Sequence, residues 1–432
     1  MSYLTDRNAV SRSLAVVLVL LVGACASLSD VDEVARTPSH ALPDPAGTRL
    51  HEQLKPLLAR HSGQSGFLTL AAGEEAFFVR LRMIAMAQKA LDVQYYIWHE
   101  DLTGATLHNR LLVAADRGVR VRILQDDLNT AGMDETLRTL DAHENIEVRL
   151  FNPFANRKHR ADDLVTDTRR INHRMHNKTL TADAIATVFG GRNIGDEYFG
   201  ANTELIFGDM DALAVGPIAA EVSSQFDLYW NSDWAYPIAH FYQGEVITGA
   251  ELADFRKRSD DHVAKARQSR YADALSAFDM VREDSVADLD FAWSDWVLAY
   301  DQPSKVESEE VSAETHLLPK LIEGMASTER DLLIVSPYFV PGEELTGFLT
   351  GLVDRGVRVR ILTNSLLSND VAAVHAGYIR YREALVRGGV ELYELRADAE
   401  RKVGATGEQV EAEKSSLHAK FMVQDETRLW VG

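Results

Sequence analysis

Two stretches of the chain repeat one spaced set of residues that could bind and transfer a chemical group. Both fit the pattern H-x-K-x4-D-x6-G, and the residues are His176, Lys178, Asp183 and Gly190 in the first copy and His418, Lys420, Asp425 and Gly432 in the second. Side chains two apart on a strand point to the same side, so each copy offers an imidazole and an ammonium to one ligand. A lone H-x-K would be weak evidence, but two full matches predict a functional site.

The residues that follow each histidine and lysine pair are typical of a hairpin. Asp183 and Asp425 fall near the turns, where they serve either as turn and ion-pair residues or as catalytic groups, and the pattern allows both. In the first copy Gly190 and Gly191 have no side chains, so the backbone there can approach a bound anion. Asn193 follows and can donate its amide hydrogens to a phosphate oxygen.

A longer repeat must position the two motifs. The nonapeptide DRGVRVRIL occupies residues 116–124 and again 354–362, a separation of 238 residues against 242 for the motifs. Each copy lies downstream of a strand-like segment, at 90–98 and 332–340, and of a helical one. Glycine ends that helix, and the alternating Val and Arg residues form the next strand. The order strand, helix, strand predicts a parallel sheet covered by helices, with the nonapeptide as scaffold.

The composition is that of a globular chain with a large core. Of the 432 residues, 46% are hydrophobic and 25% are charged, and the formal net charge is −20. Such a charge repels polyanions over the whole surface, and no run of Lys and Arg suggests a local basic groove. We therefore expect no nucleic-acid partner, and nuclease activity is disfavoured.

The N-terminus contains the only cysteine of the chain. The apolar run at 14–24 has roughly half the ~20 residues that cross a bilayer, which is typical of a signal-peptide core. The residues VGA then precede Cys25, as in the lipobox of bacterial lipoproteins, where the cysteine takes the lipid; a buried structural cysteine is the alternative. We expect a membrane-anchored lipoprotein that faces the periplasm. Ala26 favours the outer membrane, whereas lipid synthesis suits the inner one.

The paired motifs resemble those of the phospholipase D superfamily, whose mark is two H-x-K-x4-D sequences. The segments DVQYYIWHED, VRLFNPF, GGRNIGDEYFG and LTNSLLSNDVAAVHAGY are most similar to bacterial cardiolipin synthases of the C type, and the similarity extends from about residue 66 to 432. The resemblance implies an α/β fold of two pseudo-symmetric halves, each a mixed β-sheet flanked by helices. Both motifs would meet in one active-site cleft between the halves, without a metal or another cofactor.

The same resemblance assigns roles to the motif residues. His176 would attack the phosphorus of a phosphodiester and form a phosphohistidine, and His418 would act as the acid and base. Lys178, Lys420 and Asn193 would hold the non-bridging oxygens. The phosphatidyl group would pass to a second lipid, which gives cardiolipin, or to water, which gives phosphatidic acid.

Other residues have competing interpretations. Glu204 stands where the family often has an acid that hydrogen-bonds the second ring nitrogen of the nucleophile, but a surface carboxylate at a strand start is the alternative. His173 and His176 could bind zinc, although no further cluster repeats that arrangement. Phospholipids and a membrane surface are the expected partners, and protein partners are left open.

We predict five segments along the chain: a lipoprotein signal peptide at 1–24, a tether at 25–65 with one helix, a first half at 66–245, a connecting helical segment at 246–312 and a second half at 313–432. The strand and helix that follow the glycine pair in the first half have no counterpart after Gly432. Their loss would cost more than the ~5 to 15 kcal/mol by which domains are stable. We therefore expect a longer natural product, and the alternative to an enzyme is an inactive, truncated, membrane-tethered protein.

Overall fold

The structure is a computed structural model in which strands and helices alternate along most of the chain. It describes residue 28 and residues 33–201, 204–276, 285–307, 311–397, 401–402, 409–410 and 414–432. Within these residues the helices are α1 (Arg49–Arg60), α2 (Gly73–Met86), α3 (Leu102–Asp116), α4 (Asp134–Asp141), α5 (Arg160–Thr166), α6 (Thr168–Ile171), α7 (Asp196–Phe199), α8 (Pro217–Trp230), α9 (Gly249–Ala266), α10 (Arg270–Ser276), α11 (Leu317–Ala326), α12 (Gly342–Asp354) and α13 (Ala372–Arg387). The strands are β1 (Ser65–Leu70), β2 (Ala90–Tyr95), β3 (Arg120–Asp126), β4 (Ile146–Phe151), β5 (Thr179–Ala182), β6 (Ala186–Gly190), β7 (Leu205–Gly208), β8 (Asp211–Val215), β9 (Ala235–Pro237), β10 (Ala292–Ser294), β11 (Asp331–Val335), β12 (Arg358–Asn364), β13 (Glu391–Leu395), β14 (Arg401–Lys402), β15 (Gln409–Val410), β16 (Lys414–Leu417), β17 (Phe421–Gln424) and β18 (Arg428–Val431).

The two main sheets contain the same five-stranded unit. The large sheet has the order β10-β1-β8-β6-β5-β2-β3-β4-β9, and the smaller one has the order β13-β12-β11-β17-β18. In both, three neighbouring strands run parallel (β2, β3 and β4; β11, β12 and β13), and the hairpin that follows the motif is antiparallel to the first of them. The predicted α/β fold with two related halves, each a mixed sheet flanked by helices, is confirmed.

The repeated nonapeptide leads into the middle one of the three parallel strands of each unit, β3 and β12, which we call the central strands. Its valines and isoleucine point into the hydrophobic core, where Val121 and Val359 are both about fully buried. The arginine between the second valine and the isoleucine, Arg122 or Arg360, points to the other face of the sheet. Arg122 is buried there and its Nε donates to Asp92 Oδ1 at 2.8 Å, whereas Arg360 is only partly buried. Thus one sequence builds the same strand in two different environments.

A short parallel pair joins the two halves. Strand β7 of the first half pairs with β16, which leads directly into the second motif. The backbone amides of His418 and Ala419 continue this contact, because both donate to the carbonyl of Gly208, at 2.8 and 3.0 Å. The first half therefore fixes the backbone of the second motif.

Two predicted segment assignments differ from the structure. Described residues of the tether pack on the first half: Leu50 and Leu54 of α1 are buried, and the amide of Ala41 donates to Asp227 at 2.7 Å. The connecting segment is not wholly helical, since its strand β10 pairs with β1 at the edge of the large sheet. The predicted signal peptide and Cys25 lie outside the described residues. Among those described, no helix has both the length and the apolar character needed to cross a bilayer.

Candidate active site

The backbone in front of each motif histidine is held by a side chain from the central strand. In the first half the buried carboxylate of Asp126 accepts hydrogen bonds from the Arg174 guanidinium and from the amide of Met175 at 2.8 Å. In the second half Asn364 occupies the corresponding place, and its side-chain amide both accepts from and donates to the backbone of Leu417, each at 2.8 Å. Each strand thus fixes the residue directly before its histidine.

The motif lysines lie in extended segments just before β5 and β17, and each folds back on its own histidine. Lys178 Nζ donates to the carbonyl of His176 at 2.6 Å, and Lys420 Nζ donates to that of His418 at 3.0 Å. Burial and then the charge of Lys420 lower the pKa of Lys178 to about 7, and burial also lowers the pKa of Lys420. Two partly buried ammonium groups that repel each other form a site for an anion such as a phosphodiester.

A tyrosine packs beside each histidine, at positions that are again 242 residues apart. The ring of Tyr96 lies on His176 with centroids 4.2 Å apart, and Tyr338 approaches His418 edge-on at 6.3 Å. The ammonium of the same motif lies over each tyrosine ring, at 5.5 and 6.0 Å. The Tyr338 hydroxyl donates to Asp370 at 2.7 Å. The sequence analysis gives neither tyrosine a role beside a histidine, although their spacing matches that of the motifs.

His418 is buried and is paired with a carboxylate from the other half. Its Nδ1 lies 2.7 Å from Oδ2 of Asp209, and only 6% of the residue is exposed. Burial lowers the pKa of His418, whereas the hydrogen bond to Asp209 acts in the opposite direction. Because the carboxylate accepts at Nδ1, the second ring nitrogen faces away from it and Asp209 can stabilise the protonated ring.

His176 has a different environment. The residue is solvent-exposed, and its Nδ1 lies 3.3 Å from the carbonyl oxygen of Arg174, which can only accept a hydrogen bond. The surrounding protein and the charges of Lys178, Lys305 and Lys420 lower the pKa of His176, although much of the side chain is open to solvent. The ring is therefore neutral near pH 7, with a proton on Nδ1 and a free electron pair on Nε2.

The two motif aspartates are not part of the phosphate site. Asp183 and Asp425 lie at the hairpin turns with φ of 49° and 51°, and the carboxylate of each accepts hydrogen bonds from three consecutive backbone amides at 2.7 to 3.1 Å. The amides are those of Gln88, Lys89 and Ala90 in the first half and of Glu329, Arg330 and Asp331 in the second. Of the two roles that the sequence allowed, the structure shows the turn residue. Each aspartate ties its hairpin to the start of the neighbouring strand.

The glycine pair makes room for carboxylates and not for a ligand. A Cβ on Gly191 would lie 2.8 Å from Cγ of Asp209, and a Cβ on Gly190 would lie 2.6 Å from Cα of Asp211. Asp211 is itself buried and forms an ion pair with Arg80 at 2.8 Å. This corrects the predicted contact of the glycines with a bound anion. The lack of a side chain at Gly191 leaves room for the carboxylate of Asp209, which reaches His418, and that at Gly190 leaves room for Asp211.

Asn193 contacts a residue that lies beside His418. Its Oδ1 accepts from the amide of Ile97 and its Nδ2 donates to the hydroxyl of Tyr198, both at 3.1 Å. The Tyr198 ring in turn meets the His418 ring edge-on at 5.2 Å. Asn193 thus positions Tyr198 beside His418, and the contact of its second amide hydrogen with a phosphate oxygen stays a prediction.

The carboxylate that meets a histidine ring is Asp209 and not the predicted Glu204. Glu204 is exposed at the start of β7, while Asp209 follows the end of that strand, next to the contact between the halves. In the sequence Asp209 lies in the unremarkable segment FGDMD. Only the chain crossing between the halves brings it to His418, so no local pattern could have identified it.

One group among the described residues could hold a metal ion, and it lies outside the motifs. His99, Asp101 and Glu197 bring ligand atoms within 4.8 Å of one another. Asp101 already accepts a hydrogen bond from the amide of Gly104 as the N-cap of α3. Of the histidines considered for zinc, His173 directs Nδ1 to the carbonyl of Arg169 at 2.8 Å.

Comparisons with known proteins agree with this geometry. The family model described as cardiolipin synthase, PLD-like domain, matches residues 81–230 and 321–432. Cardiolipin synthase C of Escherichia coli (strain K12) is 41% identical over 391 residues, which cover 89% of this chain and 80% of that protein. An uncharacterized protein of Helicobacter pylori is 30% identical over 421 residues, covering 92% and 79%.

A solved structure has the same fold. The phosphatidylserine synthase of Haemophilus influenzae Rd KW20 superposes with a TM-score of 0.52 at 14% sequence identity, covering 87% of this chain and 81% of that one. At this identity the likeness concerns the fold alone. The match of the family model and the 41% identity carry the assignment: the chain belongs to the phospholipase D superfamily, in the family described as cardiolipin synthase, PLD-like domain.

Proposed function

We propose that the protein is a phosphatidyltransferase that makes cardiolipin from phosphatidylglycerol and a second phospholipid. The observation that carries the proposal is the pair of histidines with unlike environments beside two motif lysines, whose pKa values are both lowered by burial, that of Lys178 also by the charge of Lys420. A phosphodiester supplies the negative charge that this arrangement lacks. The 41% identity to a cardiolipin synthase supports the lipid substrate.

The first step displaces the alcohol of the donor lipid. Nε2 of His176 attacks the phosphorus, a bond from nitrogen to phosphorus forms, and the bond from phosphorus to the headgroup oxygen breaks. His418, protonated with the help of Asp209, gives its proton to the leaving alcohol. Lys178 and Lys420 bind the non-bridging oxygens, whose negative charge also favours protonation of His418.

The second step reverses these roles for the acceptor. The now neutral His418 takes the proton from a hydroxyl of phosphatidylglycerol, whose oxygen attacks the phosphohistidine. The new bond from oxygen to phosphorus forms and the bond to His176 breaks, which restores the free imidazole. Water in place of the lipid alcohol would release phosphatidic acid by the same steps.

Lipid mass spectrometry in a strain without its own cardiolipin synthases tests the proposal. We expect cardiolipin when the wild-type chain is expressed, none with His176→Ala, and wild-type amounts with the control His40→Ala, since the side chain of His40 is 74% exposed. Accumulation of phosphatidic acid in place of cardiolipin would show a hydrolase. A wild-type chain that produces neither lipid would contradict the proposal altogether.

Trapping the intermediate tests the separate roles of the histidines. A short-chain donor with a good leaving group needs little acid catalysis for the first step, so His418→Ala should accumulate a peptide in which His176 carries the short-chain phosphatidyl group. His176→Ala should accumulate none. Mass spectrometry of peptides kept at alkaline pH measures both, and the label on His418 instead would reverse the assignment.

We also propose that Cys25 anchors the mature protein as a lipoprotein facing the periplasm. The apolar run at 14–24 and the residues VGA before Cys25 support this. The N-terminal peptide of the purified protein should carry acyl chains, and Cys25→Ser should remove them. Separation of inner and outer membranes then decides between the two locations, of which Ala26 favours the outer membrane.

A further inference from the structure

An apolar surface borders the cleft in the second half. It consists of Val340, Leu366, Leu367 and Val371, which are 48%, 60%, 75% and 41% exposed; we call these four residues the apolar rim. Val340 follows β11, whereas Leu366 and Leu367 follow β12. Because these two strands are parallel, their carboxyl ends lie at the same edge of the sheet.

The apolar rim is continuous with the active site. Val340 comes two residues after Tyr338, whose ring contacts His418. The hydroxyl of Tyr338 donates to Asp370, the residue before Val371. The loop that carries the two leucines also begins directly after Asn364, which holds the backbone in front of the motif. A molecule bound at the histidines is therefore adjacent to the apolar rim.

Two of the four corresponding positions of the first half are covered by protein, while Leu128 and Asn129, at the places of the two leucines, are partly exposed. Trp98, at the place of Val340, is 1% exposed, and Met133, at the place of Val371, is 4% exposed. The Trp98 ring stacks on His108 with centroids 4.4 Å apart. At the places of Val340 and Val371, exposure is thus a property of the second half and not of the repeated unit.

We propose that the apolar rim inserts into the acyl layer of a phospholipid bilayer and so holds the cleft at the level of the headgroups. The proposal rests on the proposed function, because a lipid substrate brings its acyl chains to the cleft together with its phosphate. Amphipathic helices that lie on membranes bury their apolar faces about 5 to 10 Å into the boundary between headgroups and acyl chains, and exposed leucine and valine side chains can be buried in the same layer.

The charge of the chain favours insertion over electrostatic attraction. A formal net charge of −20 repels anionic lipids, so a polybasic attachment of the whole surface is disfavoured. Burial of exposed leucine side chains in hydrocarbon is favourable without any charge. Docking of a second protein on the same four residues is the competing explanation, and the experiment below distinguishes it.

Site-specific fluorescence tests insertion directly. The chain has one cysteine, so Cys25→Ser provides a background in which Leu367→Cys can be labelled alone. Val386→Cys is the matched control: Val386 is 55% exposed on α13, about 21 Å along the helix from the end near the cleft. Both carry the same environment-sensitive fluorophore and are mixed with vesicles of phosphatidylglycerol and phosphatidylethanolamine with brominated acyl chains.

We expect a blue shift and at least about threefold stronger quenching for the label at Leu367 than for the label at Val386. Equal quenching at both positions, or none at Leu367, overturns the proposal. Because quenching needs no turnover, it decides on insertion even if the wild type transfers no phosphatidyl group, a result that would contradict only the proposed function.

Kinetics give a second measurement. For the double variant Leu366→Ser with Leu367→Ser, the ratio of the rate on vesicles to the rate on dissolved short-chain phosphatidylglycerol should fall on the order of tenfold. The same ratio should not change for Val386→Ser. An unchanged ratio in the double variant, together with a change of oligomeric state by light scattering, would assign the apolar rim to a protein interface and overturn the proposal.

Discussion

The two halves of the molecule hold their motif aspartates alike but surround their histidines differently. Asp183 and Asp425 each accept hydrogen bonds from three successive backbone amides. The amides in one half are 241 residues from the corresponding amides in the other. His418, in contrast, is buried against Asp209, while His176 is solvent-exposed and directs Nδ1 to a backbone carbonyl. The scaffold is repeated, and the environment of the reacting nitrogen is not.

The difference between the halves depends on a contact between them. Asp209 belongs to the first half but serves the histidine of the second, and it is brought there by the pairing of β7 with β16. Identical histidines in identical environments would share one pKa, whereas the reaction needs one neutral ring and one protonated ring. The crossing carboxylate provides that distinction, so it is the first place to test.

The largest expected effect is that of Asp209→Asn. Loss of the carboxylate removes the stabilisation of protonated His418, so kcat at neutral pH should fall by about 10² to 10³. Since Asp209 raises the pKa of His418, the descending limb of the pH profile should also move to lower pH. The pH dependence of kcat on a dissolved short-chain lipid measures both effects.

The matched control for this variant is Asp233→Asn, because the side chain of Asp233 is 67% exposed. It should leave kcat unchanged. If Asp209→Asn retained kcat within about twofold at neutral pH, the histidines would not be distinguished by this carboxylate.

The second prediction concerns the turns, where the halves look alike. Asp183 is fully buried and Asp425 is partly exposed. If each is replaced by alanine, the backbone amides around residue 183 are left without an acceptor, whereas those around residue 425 can bond to water. Asp183→Ala should lower the free energy of unfolding by about 3 kcal/mol, and Asp425→Ala by much less. Urea denaturation measures both, and equal losses would show that burial does not separate the two turns.

Much of the scaffold could be predicted from the sequence because its signals are local. The alternation Val-Arg-Val-Arg marks the central strands at 120–126 and 358–364, and the repeat itself predicts that both motifs follow the same hairpin. The spacing of His176 and Lys178 likewise predicts that both groups face one ligand. These features depend on residues that are neighbours in the chain.

The parts of the site that could not be predicted depend on contacts between distant segments. Asp209 reaches His418 only because β7 pairs with β16, 209 residues away in the chain, and the sequence shows no sign of that pairing. The glycine pair indicates that space is left beside the backbone, but not which group fills that space. The sequence therefore predicts that a bound anion approaches Gly191, although the space beside it is filled by a carboxylate.

A third prediction, smaller in effect, tests that assignment of space. In Gly191→Ala the new Cβ would lie 2.8 Å from Cγ of Asp209, so the carboxylate must move away from His418. We expect kcat to fall on the order of tenfold, with a smaller pH shift than in Asp209→Asn. Gly347→Ala on α12 is the control, because its Cβ would meet nothing within 4 Å. Wild-type kcat in Gly191→Ala would show that the carboxylate can move without consequence.

The smallest expected effect is a pH dependence of anion binding that comes from Lys178. Burial and Lys420 lower the pKa of Lys178 from 10.5 to about 7, so half of its ammonium is already lost near neutral pH. Binding of an anion such as tungstate requires the ammonium. Its affinity should therefore fall as the pH rises through 7, by at most about tenfold per pH unit.

The same shift acts on stability with a defined sign. Between pH 7 and 10.5 the unfolded chain binds a proton at Lys178 that the unliganded native protein does not, so its contribution to stability rises with pH across this range. In Lys178→Met both dependences should disappear. In Lys420→Met the repelling charge is lost, so the pKa of Lys178 should rise and the decline of tungstate affinity should move to higher pH. Titration calorimetry between pH 6 and 9 measures the affinity of each variant for tungstate. A wild-type affinity that did not change over this range would mean that the two ammonium groups do not share one anion site.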